Sequence, residues 1–343
     1  MADNKIPLFR IPFLALCLIL DYYSLNDIIQ LSFCSKRSLR VANKCWKKKG
    51  MVKASLNTDK PPRIQLQISS LSPNTASFYT FPIYSTKDLR DRKVPNIRVG
   101  DVVVPSIHML NKTITFWLDT IFGIEQTVRY IKDLFDVPIS LIELRRQENP
   151  NEFIRIIDTI MSVQDSVKDC RFHHMNPMDD CLKHFLDNCK ITGNLVIYGG
   201  PTRRFRHNWN IQLDRLHLFN GSSITLQNLM NIDCRALSLT SSSLTSEDAN
   251  RFLQHWQNGG NSRLKFLSTE MKSINQEVIT SGIDTVSQPK ELHRYYERMS
   301  GRKVHKSGGI DIRRNDETTG TIFIYHNKFQ FRVDPEVMRD DDE

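Results

Sequence analysis

From Ile11 to Leu20 the chain reads IPFLALCLIL, with no polar position. A run of this kind predicts a short helix that is apolar on nearly every side. Pro12 suits its first turn, where a missing N–H costs nothing. A basic start before ten apolar residues imitates a signal peptide, but Asp21-Tyr22-Tyr23 follow where a small-residue cleavage site belongs, and Pro12 interrupts the run. A second helix is expected from Ser24, because Ser24 and Asp27 make an S-x-x-D capping pattern. Ile28, Leu31, Ser35, Ala42 and Cys45 share one stripe of that helix, and Lys36, Arg40, Lys44, Lys47 and Lys48 recur along another. Two helices alone cannot hide this much apolar surface, so a partner or the rest of the chain must cover it.

The pattern then changes period. RIQLQIS (63–69), IRVGDVVV (97–104) and TITFWL (113–118) alternate as strands do, punctuated by prolines 73, 82, 95 and 105. Glu125–Phe135 reads as a helix that ends before Val137-Pro138. Beyond it, apolar strand-like pieces centre on Ile142, Cys170, Leu195, Leu216, Leu237 and Leu264, at steps of 28, 25, 21, 21 and 27 residues. Helical patterns at Phe153–Ile160, Cys181–Asn188 and Glu247–Trp256 fall between several of them. Such steps predict a leucine-rich-repeat-like stack in which each unit buries its face on its neighbours, with LDRLHLFN (213–220) as its best copy. Residues near 282–308 are polar and read as a connecting segment with one helix around Leu292–Met299. GIDIRR, TIFIY and FQFRV then alternate around turn residues, which predicts a three-stranded antiparallel meander. Asp340–Glu343 reads as a frayed acidic tail. The expected fold class is α+β, with a small helical start, an α/β repeat-like domain and a C-terminal β-meander.

Charge sharpens this picture in one place. The net charge is +9, and residues 1–60 carry eleven basic side chains against four acidic ones. Seven of the nine net charges therefore sit at the N-terminus, which suits one acidic partner surface, nucleic acid or phospholipid. Seven cysteines, an odd number with no C-x-x-C, favour reduced thiols and a cytoplasmic or nuclear location.

Candidate chemistry is sparse. Cys170, His173, His174, Cys181, His184 and Cys189 lie within twenty residues, yet their spacings match no common zinc site, and buried thiols beside surface histidines account for them better. A nucleophilic Cys170 lacks any oxyanion-type loop. Phosphate-cradling glycine motifs, G-x-S-x-G and H-E-x-x-H are absent. No cofactor, metal or catalytic residue is implied. RRFRHNW (203–209) mixes cations with aromatics and is the loop expected to contact a target, through Arg203, Arg204, Arg206 and Trp209. A concave strand face would add Arg215, His217, Arg235 and Ser238. A nucleic-acid-binding protein using the basic helix and this loop is the alternative reading.

FRIPFLAL (9–16) followed by DIIQLSFCSKR (27–37) resembles an F-box of the nematode kind. WLDTIF (117–122), LTSEDANRFLQHW (244–256) and FQFRV resemble the nematode F-box-associated domain of type 2. The resemblance implies a non-catalytic adaptor of a ubiquitin ligase. Its N-terminal helices would dock on a Skp-type adaptor, and through it a cullin, with Pro12, Leu14, Leu16, Leu20, Ile28, Ile29, Leu31 and Cys34 including the docking residues. Its larger domain would capture a target protein. On this reading the chain divides into an F-box (1–50), a β-rich connecting region (51–118), a repeat-like F-box-associated domain (119–280), a linker (281–308) and the meander (309–335).

Overall fold

Two serines start two helices where the apolar stripe predicts one. In the computed structural model, which describes residues 8–68, 77–145, 150–173, 179–297, 300, 302–334, 336 and 337, the apolar run folds as α1 (Phe13–Asp21) with Pro12 as its N-cap. Next come α2 (Leu25–Phe33) and α3 (Lys36–Cys45). Ser24 and Asp27 form a reciprocal capping box at α2. Ser35 leaves the helical path, at φ −170°, and accepts the Ser38 N–H at 3.0 Å. Each such cap stabilises its helix by about 1 kcal/mol, and a second cap inside the stripe breaks it in two. His174, Pro73 and the acidic tail lie outside the described residues.

Residues 1–167 with 188–190 form one compact unit, and residues 168–187 with 191–343 form a second. The first unit continues with β1 (Val52–Asn57), β2 (Arg63–Ile68), β3 (Ser77–Ser85), β4 (Asn96–Val99), β5 (Val102–Met109), β6 (Lys112–Trp117), α4 (Thr120–Phe135), β7 (Ile139–Leu144) and α5 (Pro150–Val163). Its strands pair in the order β7-β1-β2-β3-β6-β5-β4, parallel at β7/β1 and β3/β6 and antiparallel elsewhere. Alternation buries Ala54, Leu56, Ile64, Leu66, Tyr79, Phe81 and Ile83, and α4 buries Ile124, Val128, Ile131 and Leu134 in the same core. Gly123 lets α4 approach the sheet, since a Cβ there would stand 2.7 Å from the Trp117 ring. Asp136 ends α4 in the left-handed conformation, at φ 56°.

The second unit holds β8 (Val167–His173), α6 (Asp179–Asn188), β9 (Ile191–Tyr198), β10 (Gln212–Leu218), α7 (Leu226–Asn231), β11 (Asp233–Leu239), α8 (Ser246–Gln257), β12 (Phe266–Glu270) and α9 (Gln276–Thr280). Strands β9, β10, β11 and β12 are parallel neighbours in chain order, with Leu195, Leu216, Leu237 and Leu267 in register. The last step is thus set by Leu267, not by Leu264, which is buried in the turn before β12. The unit ends in β13 (Thr285–Glu297), β14 (Lys303–Arg313), β15 (Thr319–Tyr325), β16 (Lys328–Val333) and β17 (Glu336–Val337). β13-β14-β15-β16 form a continuous antiparallel series, and β16 pairs with β12. The architecture is mixed α+β. Among the described residues no helix is long and apolar enough to cross a membrane.

The stretch read as a linker with a helix is therefore paired strand, and a buried polar network explains why. Arg294 is 3% exposed. It donates to both Asp311 carboxylate oxygens, at 2.8 and 3.0 Å, and to the Gly308 carbonyl. Thr321 donates to Asp311 at 2.7 Å, and Tyr296 donates to Thr321 at 3.1 Å. These side chains look solvated in the sequence, yet they hydrogen-bond one another across three strands, with Arg294 Nε left unpartnered among the described residues. Nearby, Trp256 of α8 meets Phe331 edge-on at 4.8 Å.

Asp311→Ala leaves the Arg294 guanidinium buried without its counter-charge. It should cost about 3–5 kcal/mol of stability by chemical denaturation. Glu317→Ala, which removes an exposed pairing with Arg313, should leave the denaturation midpoint nearly unchanged.

Candidate interaction surfaces

The first surface is built by how the N-terminal helices are held. α2 turns Ile28 and Ile29 fully inward, and α1 buries Leu16 and Leu20. Gln30 of α2 donates to the Tyr79 phenol at 3.1 Å, and the Tyr79 and Thr113 hydroxyls meet at 2.5 Å. Thr113 lies 3.0 Å from His108 Nδ1. The buried hydroxyls of Ser32 and Tyr130 are hydrogen-bonded, and Phe33 stacks on the Tyr130 ring at 5.2 Å. Asn43 of α3 donates to the carbonyls of Asp133 and Leu134 at the end of α4. Burial raises the phenol pKa of both Tyr79 and Tyr130, so both stay neutral donors. Burial lowers the pKa of His108.

With α2 and α3 seated this way, α1 keeps an apolar ridge in solvent. Leu14, Leu18 and Tyr22 follow at i, i+4 and i+8, and are 79%, 59% and 89% exposed. Phe13 and Ile19 flank the ridge and are also exposed. Of the residues expected to dock on a Skp-type adaptor, Pro12, Leu14 and Cys34 lie at the surface and Leu31 is half-buried. Leu16, Leu20, Ile28 and Ile29 are core, and act on any docking only through the packing they maintain. Leu18 and Tyr22 were not singled out in the sequence, although the i+4 spacing from Leu14 points to both. Beside the ridge, Arg37 lies over the Phe9 ring at 4.9 Å, and Lys36 pairs with Asp101 at 2.6 Å. Arg40, Lys44, Lys47 and Lys48 are exposed, with no acidic partner among the described residues.

The second surface belongs to the second unit. On the open side of its parallel strands, Arg215 and His217 alternate along β10, and Ser238 lies beside His217 in register. Arg235, expected on the same face, is exposed near the start of β11, between the buried Cys234 and Ala236. The open side carries an aromatic row the sequence did not suggest. His173 stacks on Tyr198 at 4.2 Å, Tyr198 on Phe219 at 4.7 Å, and Phe219 on His217 at 4.2 Å. Registry of three strands brings these rings together, and no local motif marks it. Burial, and to a lesser degree Lys328, lowers the His217 pKa.

The RRFRHNW loop splits into two faces. Phe205 and Trp209 are buried, and Trp209, at 0% exposed, packs edge-on against Phe205 and His207. Trp209 is thus a packing residue and not a contact for a target. His207 bonds to Asp187 at 3.0 Å, and its carbonyl accepts from Asn228. Arg203, Arg204 and Arg206 remain exposed. Of the cysteines read together in the sequence, Cys170, Cys181 and Cys189 are all buried. Burial raises the Cys181 pKa and pushes Cys189 up to about 12, so Cys189 stays protonated and poorly nucleophilic.

Comparison with known proteins bears on this second unit. Residues 204–269, from this loop through β12, match the F-box associated family. An uncharacterized protein of Caenorhabditis elegans is 19% identical over 350 residues, spanning 94% of this chain and 75% of the relative. By that match, residues 204–269 of the second unit are an F-box-associated region. The family match lies entirely beyond the N-terminal helices.

Two predictions separate seat from surface. Leu14→Asp with Leu18→Asp should leave thermal stability within about 0.5 kcal/mol of the parent, whereas Ile28→Ala should cost about 2–5 kcal/mol. His108 takes up a proton more readily in the unfolded chain than in the folded one, so stability should be fully present above about pH 6.5 and fall as the pH drops below it. Denaturation series between about pH 7.5 and about pH 5.5 check this, with His108→Gln reducing the slope.

Proposed function

We propose that this chain is the substrate-recognition subunit of a Skp-cullin-F-box ubiquitin ligase. The observation that carries the reading is the exposed apolar ridge of α1, on a helix whose other face is fixed in its unit, in a chain whose second unit carries an F-box-associated region. Isolated exposed leucines are ordinary, but a continuous ridge on a fixed helix marks an interaction site. Pro12, Leu14, Leu18 and Tyr22 meet the Skp-type adaptor, with Cys34 and the half-buried Leu31 at the edge. The lysines of α3 steer an acidic partner surface toward the ridge and raise the encounter rate more than the affinity.

The second unit holds the target. Its parallel strands form a leucine-rich-repeat-like scaffold, and the aromatic row, Arg215, His217 and the exposed arginines of the 203–209 loop supply contact groups. The chain performs no bond chemistry. It converts a bimolecular encounter between target and ubiquitin-charged enzyme into a local one, at an effective concentration reaching about millimolar for short tethers. Its place of action is the cytoplasm or nucleus.

Co-purification with a Skp-type adaptor tests this reading. The wild type should associate, and Leu14→Asp/Leu18→Asp should lose association while retaining the parental unfolding curve. Failure of the folded wild type to associate would remove the reading, and binding to DNA or RNA that weakens steeply with salt would replace it.

A further inference from the structure

Two of the seven cysteines meet across the N-terminal helices. Cys17 sits in the middle of α1 and is half-buried, and Cys45 is the last residue of α3 and is 1% exposed. Both are free thiols, and they share a hydrogen bond. Trp46, the next residue, donates its indole N–H to the Tyr23 carbonyl at 3.2 Å, which pins the end of α1 beside the end of α3. Cys34 has a different setting. It is exposed at the end of α2, and its thiol donates to the Gln30 carbonyl at 3.5 Å.

Thiols already in hydrogen-bond contact need to close by only about 2 Å to reach S–S bonding distance. The two helices can supply that movement. Trp46 leaves the helical path directly after Cys45, at ψ 107°. Helix α1 has nine residues, and its N-cap, Pro12, offers no side-chain hydrogen bond. A helix this short does not hold its shape alone in water, so α1 keeps its place by packing and can adjust within it. Burial first, and then the hydrogen bond with Cys17, push the Cys45 pKa up to about 12, so Cys45 keeps its proton. Cys17 is the more accessible sulfur of the pair and the one a dissolved oxidant meets first.

We infer that Cys17 and Cys45 are a redox modification site, which a hydroperoxide closes into a reversible disulfide tying α1 to α3. The Cys17 sulfur attacks one peroxide oxygen, the O–O bond breaks, and a sulfenic acid forms as water leaves. The Cys45 sulfur then attacks the Cys17 sulfur. The S–O bond breaks, the S–S bond forms, and the departing hydroxide takes the Cys45 proton and leaves as a second water. The two thiols together give up two electrons and two protons, and the peroxide is reduced to water. A dithiol reductant reverses the step by exchange. In a reducing compartment such a bond is transient, as redox-sensing disulfides are. The closed form holds the helix that carries Leu14, Leu18 and Tyr22 to its unit by a covalent bond.

The test treats the folded full chain with hydrogen peroxide, blocks the remaining thiols by alkylation, and maps unreduced tryptic peptides by mass spectrometry. The peptide 11–36 should appear joined to the peptide 45–47, and dithiothreitol should separate them. Because the first peptide also holds Cys34, Cys34→Ser should keep the link and Cys17→Ser should abolish it. Cys45→Ser should leave Cys17 as a sulfenic acid that a dione probe labels, a signal the wild type should lose as its disulfide closes. The absence of the joined peptides in the folded wild type, or a link that survives Cys17→Ser, would overturn the inference. So would sulfenic acid persisting on Cys17 in the wild type as it does in Cys45→Ser. The link is read on the chain alone, so its failure leaves the proposed adaptor function untouched, and failure of Skp association leaves the link untouched.

Discussion

A serine hydroxyl on α2 and a tyrosine phenol on α4 meet where neither reaches water. The Ser32 hydroxyl also donates to the Ile29 carbonyl at 2.6 Å, but the Tyr130 phenol without Ser32 would be a buried polar group that loses its bond to that serine, at a cost of about 1–3 kcal/mol. Together they give α2 one seat on its sheet, because a small slide would separate them while Ile28 and Ile29 stayed buried. Apolar contact by itself tolerates such a slide. The paired hydroxyls, with the Gln30–Tyr79 and Asn43 bonds beside them, turn a greasy fit into a registered one. The direction in which α1 presents Leu14, Leu18 and Tyr22 follows from that register.

The two units expose different surface chemistry. The first exposes aliphatic side chains next to unpaired lysines, a combination suited to a partner with an apolar cleft in an acidic setting. The second exposes rings, arginines and hydroxyls on a strand-and-turn scaffold, a combination suited to polar recognition of a peptide. An adaptor needs its two contacts to be chemically unlike, so that neither partner competes for the other's site.

Much of this was legible in the sequence, for reasons that particular residues show. Ser24-Asp27 announced the start of α2, and Thr245-Asp248 lies in the capping position of α8. The 21-residue spacing of Leu195, Leu216 and Leu237 gave the parallel register directly. Features that rest on distant pairing were hidden. Ser35 reads as one more residue of a helical stripe until its cap to Ser38 is seen. Arg294 and Asp311 read as solvated, so two paired strands looked like a polar linker. Trp209 looked like a surface ring among cations, but its positive φ of 48° turns it into the core. The ring row from His173 to Phe219 exists only because three strands are in register.

The pairing of β16 with β12 has a further consequence. A parallel array of strand-and-helix units is open-ended, since each finished unit offers the next one the same edge. Here the last edge is met by a strand running the other way, from residues more than fifty positions downstream. That strand reverses the hydrogen-bonding pattern and closes the edge to any further parallel unit. The array therefore has a built-in terminus. Over evolutionary time units can be duplicated or lost within it, but growth past β12 would require rebuilding the whole meander, and the same closure keeps two copies of the chain from joining there end to end into a fibre.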